Sequence, residues 1–310
     1  MTIATRLRLE ASARYVGVAA LALAACDPGG GAQTAAGDDA AVGVPSPDAG
    51  AVTALVGEVH LHQFPGGTHA WTSFVAQNVP VDAARKDSIT DVYTAATSQE
   101  GPCALYVAPT CTTACLGSTF CYAPDTCQAL PTWKYIDGGQ VQVTGSSLVP
   151  LIRMWWDASS SGYDSQPAPG APQLFAGGDI LDLAGGAGDF AFEQRVAAPN
   201  VVTLMTPDPS TDLHLMPGPL AVTWGSDVSD TIEILVTSQA TSGASAAIRC
   251  VTTDTGALTI PGDMVNALPP PPRQTSFQIL RNNIGIVPVA RPGAGIFVHV
   301  AQTTWVNGVD

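Results

Sequence analysis

Positive charge is scarce in this chain: 12 Lys and Arg stand against 26 Asp and Glu, for a formal charge of −14. Three of the arginines (Arg6, Arg8, Arg14) and one glutamate (Glu10) fall in the first 25 residues, so the remainder is more acidic than the whole by two charges. Such a surface, with no basic cluster to offset it, repels phosphate backbones and argues against nucleic acid as a partner. Charged residues of both signs make up only 12% of the chain, too few for a coiled coil or a bundle of charged-faced helices. Long apolar runs are missing too. The one of note, Tyr15 to Ala25, is eleven residues, where a membrane-spanning helix needs roughly 20. Motifs of catalysis are absent as well: there is no Gly-x-Ser-x-Gly, no His-Glu-x-x-His, no P-loop and no dinucleotide fingerprint. With five histidines in the chain, the expectation leans away from an enzyme.

What is present begins at the N-terminus. A basic segment precedes the apolar run Tyr15 to Ala25, and small residues lead to a cysteine in Leu23-Ala24-Ala25-Cys26. A short apolar run behind a basic segment has the form of an export signal rather than an anchor helix. The tetrapeptide resembles the lipobox of bacterial lipoproteins. That resemblance implies a signal peptide over residues 1–25, removal of it before Cys26, and acylation of Cys26 with diacylglycerol and a further acyl chain such as palmitate. Several acyl chains anchor stably where one binds only marginally. The membrane is thus an expected partner through the lipid. The expected location is the bacterial cell envelope, with the outer membrane or cell surface ahead of the inner membrane; Asp27 does not by itself choose between them.

From Asp27 to Gly50 there is no aromatic, Leu or Ile, so residues 26–50 are expected to form a lipidated cysteine and a flexible linker, with a span of roughly 25–30 Å. Residues 51–310 carry a different pattern. Short alternating or β-branched runs recur between Gly, Pro, Asp and Ser: Leu55 to Leu61, Gly139 to Gly145, Leu220 to Trp224, Thr231 to Thr237 and Gly295 to Val300. They predict an all-β, antiparallel, sandwich-like fold. Two packed β-rich halves are favoured, with a possible seam near 157–172, although that loop could equally be an excursion of one enlarged domain. Helix is expected only at Val81 to Lys86 and at Pro261 to Leu268, where Pro residues mark start and stop.

Besides Cys26 the chain has Cys103, Cys111, Cys115, Cys121, Cys127 and Cys250. An even number in an exported chain implies disulfides, with a Cys-rich insert over 103–127. Local pairing of the middle four would leave Cys103 and Cys250 to bridge the two halves. A buried free thiol at Cys250 is the alternative, and a zinc site in the cluster is conceivable. The cluster, with Asp137 to Gly145 and Cys250 to Pro261, resembles Cys-containing lipoproteins of myxobacteria, a group that implies location and β class but no activity.

Glu58, His60 and His62 alternate along one strand and so share a face, opposite Val59 and Leu61. Two imidazoles and a carboxylate at that spacing could begin a metal site, with His69 as a fourth ligand after the Gly66-Gly67 turn; the bland account is the solvated face of a half-buried strand. His214 and His299 stand isolated in the sequence. Aspartates in turns (Asp179, Asp182, Asp189, Asp227, Asp230, Asp254) read as turn chemistry, with calcium as the alternative. No resident cofactor is otherwise expected. Trp155 and Trp156 should face opposite ways on a strand, and Trp71, Trp133 and Trp305 lie beside polar turns. Such aromatics close the ends of a core or, if exposed, anchor a protein or glycan. The reading is a non-enzymatic, envelope-anchored binding or structural module; the alternative is a metal-dependent hydrolase using the His60/His62 face.

Overall fold

The computed structural model describes residues 52–80, 96–113, 115, 119–129, 134–167, 173–227 and 231–309. The expected signal and linker with Cys26, the helix expected at 81–86, Trp133 and Asp230 lie outside them. In chain order the strands are β1 (Ala54–Phe64), β2 (Gly67–Pro80), β3 (Ser98–Glu100), β4 (Cys103–Val107), β5 (Thr119–Ala123) and β6 (Thr126–Ala129). Then come β7 (Val141–Thr144), β8 (Ile152–Asp157), β9 (Gly162–Gln166), β10 (Ile180–Gly185), β11 (Phe192–Ala197) and β12 (Leu204–Thr206). The last are β13 (Leu220–Trp224), β14 (Thr231–Ala240), β15 (Ser245–Thr253), β16 (Ala257–Ile260), β17 (Arg273–Pro288) and β18 (Ala294–Val309). The expected all-β class is therefore the observed one; four of the five runs singled out above lie within strands, and the fifth, Gly139 to Gly145, contains β7. Helix α1 spans Gly262–Asn266, between Pro261 and Pro269 as the proline punctuation predicts.

Eight strands form one sheet in the order β2-β1-β18-β17-β14-β15-β4-β3. Four of its seven junctions join strands consecutive in the chain, and these are antiparallel, as are β14 against β17 and β15 against β4. The exception is the parallel pairing of β1 with β18, which sets His60 opposite His299. The turn from β1 into β2 passes through Gly66 at φ +87°, a left-handed conformation that glycine adopts without steric cost.

One face of this sheet is covered by two smaller sheets. Over β1 and the first half of β18 lies the five-stranded sheet β11-β10-β7-β8-β9, so that Val59, Leu61, Ile296 and Val298 share a core with Val143, Ile152, Met154 and Leu181. Over β14, β15 and the first half of β17 lie the three-stranded sheet β12-β13-β16 and α1. There Ile234, Ile248, Phe277 and Ile279 pack with Val222, Trp224, Ile260 and Met264. Strands β17 and β18, 16 residues each, run through both cores. Residues on both sides of the 157–172 loop (Met154, Tyr163, Leu174, Phe175) belong to the same core, and β8 and β9 pair directly across Asp157 to Gly162.

Between the two cores a buried ion pair closes the gap. Arg281 on β17 reaches Asp254, Nε to Oδ2 at 2.7 Å, and donates to the carbonyls of Asn200, Val201 and Gly225. The second Asp254 oxygen accepts from the Trp224 indole at 2.5 Å.

The cysteines form three disulfides. Cys111–Cys121 and Cys115–Cys127 are local, as expected. Cys103–Cys250 closes a separation of 147 residues and removes the free-thiol alternative. It does not bridge two halves: Cys103 and Cys250 are register partners on the neighbouring strands β4 and β15, inside one core. Pairing of β4 onto β15 brings the two together. A loop of this length stabilises by about 5 kcal/mol on the chain-entropy model.

Candidate metal centre

The second face of the eight-stranded sheet carries the histidines. Alternation on β1 sends Val59 and Leu61 into the core and Glu58, His60 and His62 to the opposite face, as the sequence predicts. Flanking strands supply the rest: β2 sets Trp71 opposite His60 and His69 opposite His62, while β18 sets His299 opposite His60 from the other side. This face is not a solvated one at its centre. His60 is 1% exposed and His299 is fully buried, because β1 is an interior strand and the rings pack on one another. His60 stacks on Trp71, centroids 4.2 Å apart and ring planes nearly parallel, and His62 meets His299 edge-on at 4.5 Å.

Hydrogen bonds fix the ring protons. A carboxylate can only accept, so the 3.0 Å contact between His60 Nε2 and Glu58 Oε2 places a proton on Nε2. The other Glu58 oxygen accepts from the Ser73 hydroxyl at 2.9 Å. An amide oxygen likewise only accepts, so Asn282 Oδ1, at 2.9 Å, places a proton on His299 Nε2. The bare His299 Nδ1 then accepts from His62 Nε2 at 3.0 Å. His60 Nδ1 is left buried with no hydrogen-bond partner.

Electrostatics disfavour the charged form of His62, His299 and His69. Burial pushes His62 well below the usual histidine range, and its neighbours His299, His60 and His69 push it further. His299 is lowered well below it by burial and by His60. His69 is lowered by the same two causes in the same order. For Glu58, burial acts upward, but the adjacent His60 and the hydrogen bonds from His60 and Ser73 leave it below the ordinary carboxylate value.

Among the described residues, two groups of three potential ligand atoms come together, each group within 4.8 Å: His60, His62, His299 and Cys111, Cys115, Cys127. The second has no thiolate to offer, since all three sulfurs are in disulfides; the conceivable zinc site there is ruled out. In the first, His299 takes the place expected of His69. His69 instead stacks on Trp71 at 4.7 Å, and Glu58 stands behind His60. Alternation in Gly295 to Val300 does place His299 opposite Ile296, Val298 and Val300, but nothing local announces a parallel pairing across 239 residues with β1.

The aspartates scatter. Asp179 caps the Ser147 and Ala176 amides, Asp182 pairs with the exposed Arg195, Asp227 accepts from Asn200, and Asp254 is the buried partner of Arg281. Asp189 lies 4.0 Å from Arg291. None of the described aspartates joins a three-ligand group. Trp155 is exposed, and Trp156 is half-buried against Tyr163 at 5.5 Å. Trp305 lies against Phe64, and Trp71 is absorbed into the histidine cluster.

No family model, curated protein or solved structure matches the chain. The chemistry of the site rests on its geometry.

Proposed function

We propose that the chain is an exported lipoprotein of the bacterial cell envelope, anchored through Cys26, whose β region serves as a binding or structural module. The observation that carries this reading is Leu23-Ala24-Ala25-Cys26 behind a basic segment and an eleven-residue apolar run. Three disulfides support it, because such bonds persist in oxidising compartments outside the cytoplasm. The acidic surface and the exposed Trp155 direct the search for a partner to proteins and glycans. The test is labelling of growing cells with an alkynyl palmitate analogue, followed by protease shaving of intact cells. Label on the wild-type chain and none on Cys26→Ala is the expected result. An unlabelled wild-type chain recovered in the soluble fraction would overturn the anchor.

One observation favours a second reading, a metal-dependent hydrolase. His299 joins His60 and His62 with Glu58 hydrogen-bonded behind His60, and three protein ligands with one open position is the usual arrangement of a catalytic zinc. Turnover of ester, amide or phosphoester substrates that is lost in His62→Ala would support it; a metal-loaded protein without turnover would end it.

A further inference from the structure

We infer that His60, His62 and His299 form a binding site for one borderline divalent transition-metal cation, with Zn2+ as its representative, through Nδ1 of His60, Nε2 of His62 and Nδ1 of His299. The inference is independent of the lipid anchor, and it underlies the hydrolase reading without requiring it.

Four observations converge. First, the side chains come from adjacent strands in register, two of them from alternate positions of β1 and one from the opposite position of β18, so the sheet itself sets the spacing. Ligands about 2.0–2.1 Å from a tetrahedral zinc are roughly 3.3 Å apart. His62 Nε2 and His299 Nδ1 are already 3.0 Å apart, and one ring nitrogen from each of the three histidines lies within 4.8 Å of the others.

Second, two rings are preset as ligands. Glu58 holds the Nε2 proton of His60, and Asn282 holds that of His299. Both leave Nδ1 as the lone-pair nitrogen. A carboxylate or amide oxygen behind a metal-binding imidazole fixes its tautomer and orientation in the same manner. The Ser73 hydroxyl then holds Glu58 in turn.

Third, one of these nitrogens has nothing to do. His60 Nδ1 is buried in a residue that is 1% exposed and has no hydrogen-bond partner. A buried polar atom left so costs free energy, and a histidine kept only for packing would be expected to satisfy it. Fourth, the donor set selects the ion. Three imidazoles with no oxygen among them suit Zn2+, Ni2+ or Cu2+ and not Ca2+ or Mg2+.

Binding conserves protons. In the metal-free protein the His62 Nε2 proton sits in the hydrogen bond to His299; on binding it transfers through solvent to His62 Nδ1, freeing the Nε2 lone pair. His62 is partly exposed, so solvent can mediate the exchange and the ion can enter from that side.

The full-length protein, purified with its disulfides intact and stripped with a chelator, is titrated calorimetrically with ZnSO4. One Zn2+ per chain is expected, with none bound by His62→Ala or His299→Ala and no change in His69→Ala or His214→Ala. Asn282→Ala should weaken binding by about 10–100-fold. CaCl2 should give no binding at this site. Should the histidine variants fail to fold, 15N-histidine NMR of the wild type with and without Zn2+ decides: Nδ1 of His60 and His299 must shift to metal-bound values. Absence of stoichiometric binding by folded wild type, binding retained in folded His62→Ala and His299→Ala, or unmoved Nδ1 resonances would each overturn the site.

Discussion

Arg281 and Asn282 are neighbours on β17, yet they point to opposite faces of the same sheet and take part in two buried polar clusters of different character. On the core side, Arg281 donates to one carboxylate and three backbone carbonyls, and both oxygens of Asp254 are engaged. On the other side, Asn282 steadies His299 in a group that shares one imidazole proton between two rings and leaves His60 Nδ1 bare. Burial is similar; completeness is not. A saturated network ties loops 200–201, 225 and 254 to the sheet where the two cores meet. The unsaturated one is where the metal ion is proposed to bind, since a buried polar atom without a partner costs free energy.

The contrast can be broken from its strong side first. Arg281→Ala leaves Asp254 as an unpaired buried carboxylate, and removal of one partner of a buried pair costs about 3–5 kcal/mol. Urea unfolding should report a loss of that size, with zinc binding by the surviving folded protein unchanged. A loss under about 1 kcal/mol would mean the junction is not a structural tie.

A smaller, pH-dependent effect is expected on the histidine side. With chelator present, His62 and His299 hold folded pKa values below the unfolded value of 6.5. The folded state therefore binds fewer protons than the unfolded chain, so stability is full above pH 6.5 and declines as the pH falls below it. Thermal unfolding across pH 7.5 to about 5 measures the decline. Double replacement of His62 and His299 by Gln should flatten it; an equal slope in that variant would assign the acid sensitivity elsewhere.

The smallest effect belongs to the exposed pair Arg195–Asp182, 3.0 Å apart with both side chains more than half exposed. Arg195→Ala should change stability by about 0.2–1 kcal/mol or less, and less still in high salt. It serves as the reference against which Arg281 is judged.

Much of the fold was legible because its signals are local. Alternation placed strands at 55–61, 139–145, 220–224, 231–237 and 295–300, and Pro261 with Pro269 bracketed α1. An even cysteine count with four in close succession announced disulfides, including the pair left over at Cys103 and Cys250. What that pair joins was not legible, since the position of β4 next to β15 is a matter of sheet order. The same limit applied at the candidate site. Period-two geometry put Glu58, His60 and His62 on one face, but exposure depends on what flanks β1, and a solvated face proved to be a buried one at His60. Proximity in sequence made His69 the natural fourth member, and its place in the cluster is taken by a residue 239 positions from His60.

By itself, then, the sequence determined what is written at short range: acidity, the lipobox-like segment, strand periodicity, turn residues and the shared face of Glu58, His60 and His62. Tertiary structure alone decided which strands are neighbours. Parallel pairing of β1 with β18 brings His299 against His60 and His62, and the passage of β17 through both cores joins Arg281 to Asp254. Backbone pairing is chemically the same for every strand, so choice of partner is made by the packing of whole sheets, and no stretch of residues carries it alone.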